Sequence, residues 1–186
     1  MKKLILIVFI ASFSNVLSQK SLLDEKFGFK DIKLNSNISE FENLYNVHIN
    51  NKVEIYEYQP IKEKLYFIFN EKFNRILMVF DHNTKALIGI RLIKNFDEYN
   101  FGCEKQLLES TKYLESNFEK VLGKFDYYQN NDNGFGAIWE SDKVYLGIES
   151  SLKFKDLDNE YRPIGKCQIS VSFYLRSDGK ELRNGF

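Results

Sequence analysis

The chain has 186 residues and a mass of 22.0 kDa, a size that fits a single domain. Hydrophobic residues make up 44% and charged residues 28%, which excludes a long disordered, collagen-like or multi-span membrane protein. Basic and acidic residues number 26 each, so this balance gives no support to nucleic-acid binding by a basic surface.

The first segment has the three-part pattern of a secretory signal peptide. Lys2 and Lys3 give a positive start, residues 4–11 are unbroken apolar sequence, and the small Ser18 stands at a suitable cleavage point. The apolar run is shorter than the roughly 20 residues that span a bilayer. We therefore expect cleavage near Ser18 and export of residues 19–186, as one domain without a membrane span, to the periplasm or the cell exterior.

The first half of the exported part is predicted to be a short helix followed by strands. Asn37 and Glu40 fit a capping box, and apolar residues at helical spacing predict a helix over residues 38–46. Strand-forming residues then predict four strands, over 53–58, 64–69, 75–81 and 85–93.

The second half repeats this order. Apolar residues three and four apart predict a helix over 104–122, which Gly123 ends. The strands that follow are predicted over 124–128, 135–140, 143–150 and 168–176. The last strand alternates, which predicts that Ile169, Val171 and Phe173 face the core while Ser170, Ser172 and Tyr174 face water.

The order of elements predicts an α+β fold, with antiparallel strands and both helices on one face. Because the order occurs twice, the fold could be a duplication of a helix-plus-meander unit, with halves 19–100 and 101–186. One continuous sheet and two small sheets both remain open.

The segment GFKDIKLNSNISEFENL, residues 28–44, resembles the opening of small exported bacterial modules. These are the beta-lactamase-inhibitor-protein-like folds and the small lipoproteins of outer-membrane assembly. Their opening usually has Gly after the strand Leu, whereas Asn35 follows Leu34 here, and the lipid-attachment Cys is absent. The resemblance extends over residues 28–45 and implies a protein-binding scaffold. It assigns no functional residue.

Two cysteines lie in the exported part. An even count in an oxidising compartment favours a disulfide, between Cys103 and Cys167. The alternatives are two buried reduced thiols, or a Cys nucleophile assisted by His48 or His82. No thiol-protease or C-x-x-C signature accompanies either cysteine.

Motifs for catalysis, metals and cofactors are not found. The sequence has no paired histidines at helical spacing, phosphate loop, dinucleotide fingerprint or nucleophile elbow. Asp156, Asp158 and Glu160 alternate as in a calcium loop, but Tyr161 stands where the loop glycine is needed. We therefore expect no metal site and no cofactor, and favour a non-catalytic protein.

Two regions are candidates for binding a partner. Tyr56 and Tyr58 share one strand face, and the long connection before Cys167 mixes charges with an aromatic residue, as interface hot spots do. The candidate partner-binding residues are Tyr56, Tyr58, Lys155, Asp158, Tyr161 and Arg162. The predicted function is a binding or inhibitor-like module for an envelope or secreted protein.

Two alternative functions involve glycans. Glu140 and Asp142 flank Ser141 just after Trp139, which would suit a glycan-directed hydrolase if the two carboxylates faced one cleft. Tyrosines and Trp139 could instead bind a carbohydrate without catalysis.

Overall fold

The computed structural model describes residues 22–96, 103–131, 134–155 and 164–176; side chains are not described at 131, 134, 152–155 and 164–166. About half of the chain is strand and two helices are present in the described part, so the fold is mainly β or α+β. No helix within these ranges is long and apolar enough to cross a membrane. The predicted signal peptide lies outside them.

The helices are α1, of which residues 22–26 are described, and α2 (Cys103–Leu122). The strands in chain order are β1 (Gly28–Phe29), β2 (Ile32–Lys33), β3 (Leu44–Ile49), β4 (Val53–Tyr58), β5 (Phe67–Ile68), β6 (Glu71–Lys72), β7 (Arg75–Asp81), β8 (Leu87–Asn95), β9 (Tyr127–Asn131), β10 (Gly134–Glu140), β11 (Val144–Lys155) and β12 (Ile164–Leu175).

Eight of these strands form one antiparallel sheet. Its order is β3-β4-β7-β8-β12-β11-β10-β9, so the strands of the first half lie on one side and those of the second half on the other. The two groups meet where β8 pairs with β12, with Leu92 opposite Val171. The sheet is therefore continuous across the boundary between the predicted halves.

The predicted helix over 38–46 is wrong. The capping box does form, because Asn37 N–H donates to Glu40 Oε1 at 2.6 Å and Ser39 N–H donates to Asn37 Oδ1 at 3.1 Å. It caps only one 3-10 turn, Ile38–Glu40. Asn43 has a φ of 59°, in the left-handed region that an α-helix cannot use, and the chain then enters β3. The helix-plus-meander duplication is accordingly not confirmed.

The other local predictions differ in accuracy. Only two residues of the predicted strand over 64–69 are strand, those of β5, and a 3-10 turn, Glu63–Tyr66, occupies its first half. By contrast, β4 and β7 begin and end where predicted, and α2 differs from its predicted range by one residue.

The main core lies between the sheet and α2, on what we call the inner face. Helix α2 packs against β10, β11 and β12 through its apolar stripe, in which Leu107 and Leu114 are completely buried. Thr111 belongs to the same stripe, and its hydroxyl contacts the Ser150 hydroxyl at 2.5 Å and donates to Leu107 O. A buried hydroxyl pair of this kind satisfies two polar groups that would otherwise be costly inside the core.

The opposite, outer face of the sheet was predicted to be solvated along β12, and this is wrong. Ser170 is 1% exposed, and Ser172 and Tyr174 are also buried. A second apolar cluster occupies this face, formed by Val53, Ile55, Val79, Ile88, Ile138, Tyr145 and Tyr174. Both faces of the sheet therefore bury apolar side chains.

Candidate protein-binding edge

The strand β3 is the first of the two edge strands of the eight-stranded sheet. It pairs with β4 along one edge, and no other strand of the described chain pairs with its opposite edge. An edge of this kind presents backbone amide and carbonyl groups to any extended segment that can align with it. The β3 edge is our candidate functional site.

The side chains of β3 are unusually apolar for an exposed strand. Tyr45 is 53% exposed, Val47 is 48% exposed and Ile49 is 50% exposed. These three alternate with Asn46 and His48, and no Asp, Glu, Lys or Arg occurs in the strand. Natural edge strands are commonly protected by a lysine or a proline, and β3 has neither.

The position of β3 is fixed by its hairpin with β4. In the connecting turn, Asn50 Oδ1 accepts the N–H groups of Lys52 and Val53, each at 2.8 Å, and Asn50 N–H donates to Val53 O at 3.0 Å. A β-bulge between Asn46 and His48 adds one residue to β3 relative to β4. Bulges increase the local twist, so this edge is ordered but not flat.

The predicted binding residues Tyr56 and Tyr58 lie on β4, directly behind this edge. Both are half buried on the inner face: the Tyr56 ring lies 5.9 Å from that of Phe80, and the Tyr58 ring lies 6.1 Å from that of Phe41. Burial, with a smaller contribution from Glu42, raises the pKa of Tyr58. The two tyrosines thus support the hairpin, and their direct contact with a partner stays a prediction.

The turn between β7 and β8 is anchored to β4 by a buried carboxylate. Glu54 is 5% exposed and accepts hydrogen bonds from Lys85 Nζ and, at 3.2 Å, from Tyr56 Oη. His82 Nδ1 lies 2.9 Å from Glu54 Oε1, but the pair lacks hydrogen-bond geometry. The bond from Lys85 is the main cause that holds the pKa of Glu54 below its usual value. This cluster fixes the sheet behind the β3 edge.

The remaining predicted binding residues belong to the connection between β11 and β12. Asp158, Tyr161 and Arg162 lie outside the described residues, and Lys155 ends β11 with its side chain not described. The backbone of β11 pairs with that of β12 as far as Lys155 opposite Ile164, so the described strands reach the two ends of this connection.

The two cysteines are brought together as predicted. Cys103 begins α2, Cys167 lies in β12, and the pair approaches to about 2.6 Å with both residues present as thiols. Burial, followed by the hydrogen bond with Cys103, raises the pKa of Cys167 to about 12. At neutral pH the Cys167 thiol is therefore not a nucleophile, since the thiolate is the reactive form.

The acidic residues of the glycan hypothesis do not face a common cleft. Glu140 accepts a hydrogen bond from Tyr127 Oη at 3.0 Å, while the Asp142 side chain is 97% exposed at the hairpin tip. Trp139 is 2% exposed and donates its indole N–H to Gly123 O at 2.9 Å, so its ring is not available as a sugar platform. No group of three or more metal-binding side chains occurs in the described ranges.

Sequence analysis missed the β3 edge because it assigned the first half of this strand, residues 44–46, to a helix. A signal was present: Tyr45 to Ile49 alternates apolar and polar residues with the period of a strand, and it includes the β-branched Val47 and Ile49. The capping box formed by Asn37 and Glu40 favoured a helix and was given more weight than this strand pattern.

Asn35 follows β2 and has a φ of 68°, a left-handed conformation that Asn tolerates better than most residues. Asn35 N–H donates to Leu87 O at 2.8 Å and so joins this segment to β8. Comparison with known proteins finds no matching family model, curated protein or solved structure.

Proposed function

We propose that this chain is an exported, non-catalytic binding module for an envelope or secreted protein, and that the partner adds an extended segment to β3. The observation that carries the proposal is the uncharged edge strand whose three large apolar side chains are each about half exposed. In strand addition, main-chain hydrogen bonds provide affinity, and alternate side chains provide specificity.

The hairpin is suited to this role because hydrogen bonds hold both of its ends. The turn at Asn50 closes one end through three hydrogen bonds, and Gln59 N–H donates to Asn43 O at 3.1 Å at the other end. On the outer face of β4, Glu57 Oε2 accepts from Arg75 Nη2 at 2.7 Å. A preformed edge costs little ordering entropy on binding, which favours affinity.

Export is supported by the residues at the start of the chain and by the neighbouring cysteines. The segment from Lys2 to Ser18 follows the signal-peptide pattern. In an oxidising compartment, the approach of Cys103 to Cys167 within about 2.6 Å makes a disulfide between them the expected product. This bond would tie the start of α2 to the sheet.

The experiment compares two valine variants. Val47 on β3 and Val121 on α2 are 48% and 40% exposed, so each can be replaced by Lys without opening the core. Protein captured from the native envelope fraction by immobilised wild type is quantified against Val47→Lys and Val121→Lys. We expect Val47→Lys to reduce capture about tenfold or more, because an edge lysine opposes strand addition. Val121→Lys should bind like wild type.

Circular dichroism melting shows whether both variants keep the fold. If Val47→Lys is folded and captures the partner as well as wild type does, the partner does not use the β3 edge. In that case the β11–β12 connection, with Tyr161 and Arg162, becomes the site to test.

A further inference from the structure

We propose that the α2–β9 flank, formed by Glu115, Glu119, Phe125 and Tyr128, binds a small organic amine. The ammonium group of the ligand donates to the Glu115 carboxylate, and its alkyl part lies against the rings of Phe125 and Tyr128. This site is independent of the proposed function, because β9 lies at the opposite edge of the sheet from β3.

The carboxylate of Glu115 has one oxygen that is buried without a partner. This atom, Oε1, has no hydrogen bond within the part of the chain that the structure describes. Two further buried polar atoms there also lack a hydrogen bond, His82 Nδ1 and Arg91 Nε, but each belongs to a side chain that already faces a carboxylate. Of the three, Glu115 alone is a negative group without a cation beside it. A buried charge in this state is costly unless a ligand supplies the missing donor.

Two exposed aromatic rings lie at the β9 edge. Tyr128 of β9 is 45% exposed, Phe125 just before β9 is 36% exposed, and their ring centroids are 5.8 Å apart. The Phe125 ring also packs edge-on against the buried Trp139, with centroids 6.2 Å apart, so a core residue supports it. Exposed ring faces attract a cation through their quadrupole and can cover its apolar part.

The pKa values of these groups indicate that the carboxylate and the rings share one negatively charged environment. Burial raises the pKa of Tyr128 and the charge of Glu115 adds to this effect, which places the two side chains close together. Burial also raises the pKa of Glu115, followed by the charge of Glu119 one turn along α2, while Lys112 acts in the opposite direction. A ligand that carries a positive charge is therefore favoured over a neutral or an anionic one.

The unpartnered oxygen favours a primary ammonium group among the organic cations. A primary ammonium has N–H donors, so it can donate to Glu115 Oε1 while its alkyl chain lies on the two rings. A quaternary ammonium has the same charge but no N–H, and an alcohol has a donor but no charge. The surface consists of two rings and one carboxylate, and this small size suits a compact ligand better than a protein segment.

Titration with n-butylammonium chloride tests the site, with binding followed by the amide chemical shifts of the protein in NMR spectra. We expect saturable shifts around Tyr128, with a dissociation constant of about 1 mM. Tetramethylammonium and n-butanol should each bind more weakly, because the first lacks the donor and the second lacks the charge. Sodium chloride at equal concentration controls for ionic strength.

A pair of glutamine variants tests the role of the carboxylate. Glu115→Gln keeps the size of the side chain and removes its charge, and should weaken binding of butylammonium about tenfold. Its melting temperature at neutral pH should be unchanged or raised, since the charge it removes is unpartnered. Glu109→Gln, at an exposed position of α2, is the matched control and should bind like wild type.

A leucine variant tests the role of the rings. Tyr128→Leu retains an apolar side chain but has no ring quadrupole, so it should also weaken binding of butylammonium. The inference is overturned if butylammonium causes no saturable shift, if n-butanol binds as tightly as butylammonium, or if folded Glu115→Gln binds like wild type.

Discussion

The ring of Tyr174 on β12 fills the space that a side chain at Gly89 on β8 would need. The two residues are direct partners across the sheet, and a Cβ at position 89 would lie 1.9 Å from Tyr174 Cε1. The missing side chain of a glycine is thus what allows a large aromatic residue to lie buried on the outer face, next to Tyr145 on β11.

Gly89→Ala should therefore destabilise the protein by about 1–3 kcal/mol, the usual cost of overpacking, because the Tyr174 ring must leave its position. Gly147→Ala is the matched change on the same face. There the nearest atom to the new Cβ is Tyr145 Oη at 2.8 Å, at the end of a side chain that can shift. We expect Gly147→Ala to lower the free energy of unfolding by less than Gly89→Ala does, as measured by urea unfolding. Equal losses would mean that the Tyr174 ring is not held where the structure places it.

The buried Glu54 carboxylate should make stability depend on acidic pH. Because Lys85 holds its pKa below the usual value in the folded state, Glu54 stabilises the protein above its unfolded pKa of about 4.3. This contribution is lost as the pH falls through the lower folded pKa. Glu54→Gln should lower stability at neutral pH and flatten its dependence on pH in the acid range. Glu109→Gln, on the exposed side of α2, should leave the curve nearly unchanged. Thermal melting between about pH 2 and 7 distinguishes the two variants.

The cysteine pair should close into a disulfide in exported protein. Intact mass would then be lower by two hydrogens, and neither cysteine would react with iodoacetamide. In the chain-entropy model the bond contributes about 4 kcal/mol, so Cys103→Ser should unfold more readily than wild type without reductant. With reductant this difference should largely disappear. In reduced native protein Cys103 should alkylate first, because Cys167 is buried and its pKa is raised. Exported protein in which both thiols are free and reactive would contradict this prediction.

The connection between β11 and β12 stays a predicted second contact with the partner. Tyr161→Ala combined with Arg162→Ala should weaken capture of the envelope partner and leave the melting temperature nearly unchanged, as expected for interface residues in the connection between two strands. Unfolding of this double variant would mean that the two side chains stabilise the core. Unchanged capture by a folded variant would restrict the site to the β3 edge.

The positions of strands with buried side chains could be predicted from the local sequence, whereas the position of β3 at the edge of the sheet could not. The runs that became β4 and β7 are rich in β-branched and aromatic residues, and their boundaries were predicted correctly. For β3, the residues from Ile38 to Tyr45 also satisfy helical spacing, and only pairing with β4 selects the strand. That β3 lies at an edge depends on the order of strands in the sheet, which distant parts of the chain determine.

The outer face illustrates a second limit of sequence patterns. Ser170 and Ser172 alternate with apolar residues, which usually indicates a solvated face. In the sheet Ser170 instead accepts a hydrogen bond from Arg91 Nη2 at 3.0 Å, and Arg91 also reaches Glu149 on β11. Small polar residues here accommodate longer side chains from neighbouring strands, a relationship that a single strand does not reveal.

The pairing of β8 with β12 has a consequence for how the chain folds. Strands β3, β4, β7 and β8 all lie between Leu44 and Asn95 and can assemble early, but β8 remains an unprotected apolar edge until β12 arrives from about eighty residues further along the chain. Such long-range closure is slow and leaves intermediates prone to strand-to-strand aggregation. A chain shortened before β12 should therefore not fold to a stable smaller protein but associate through β8, and an exported chain can complete its sheet only after its C-terminal strand has crossed the membrane.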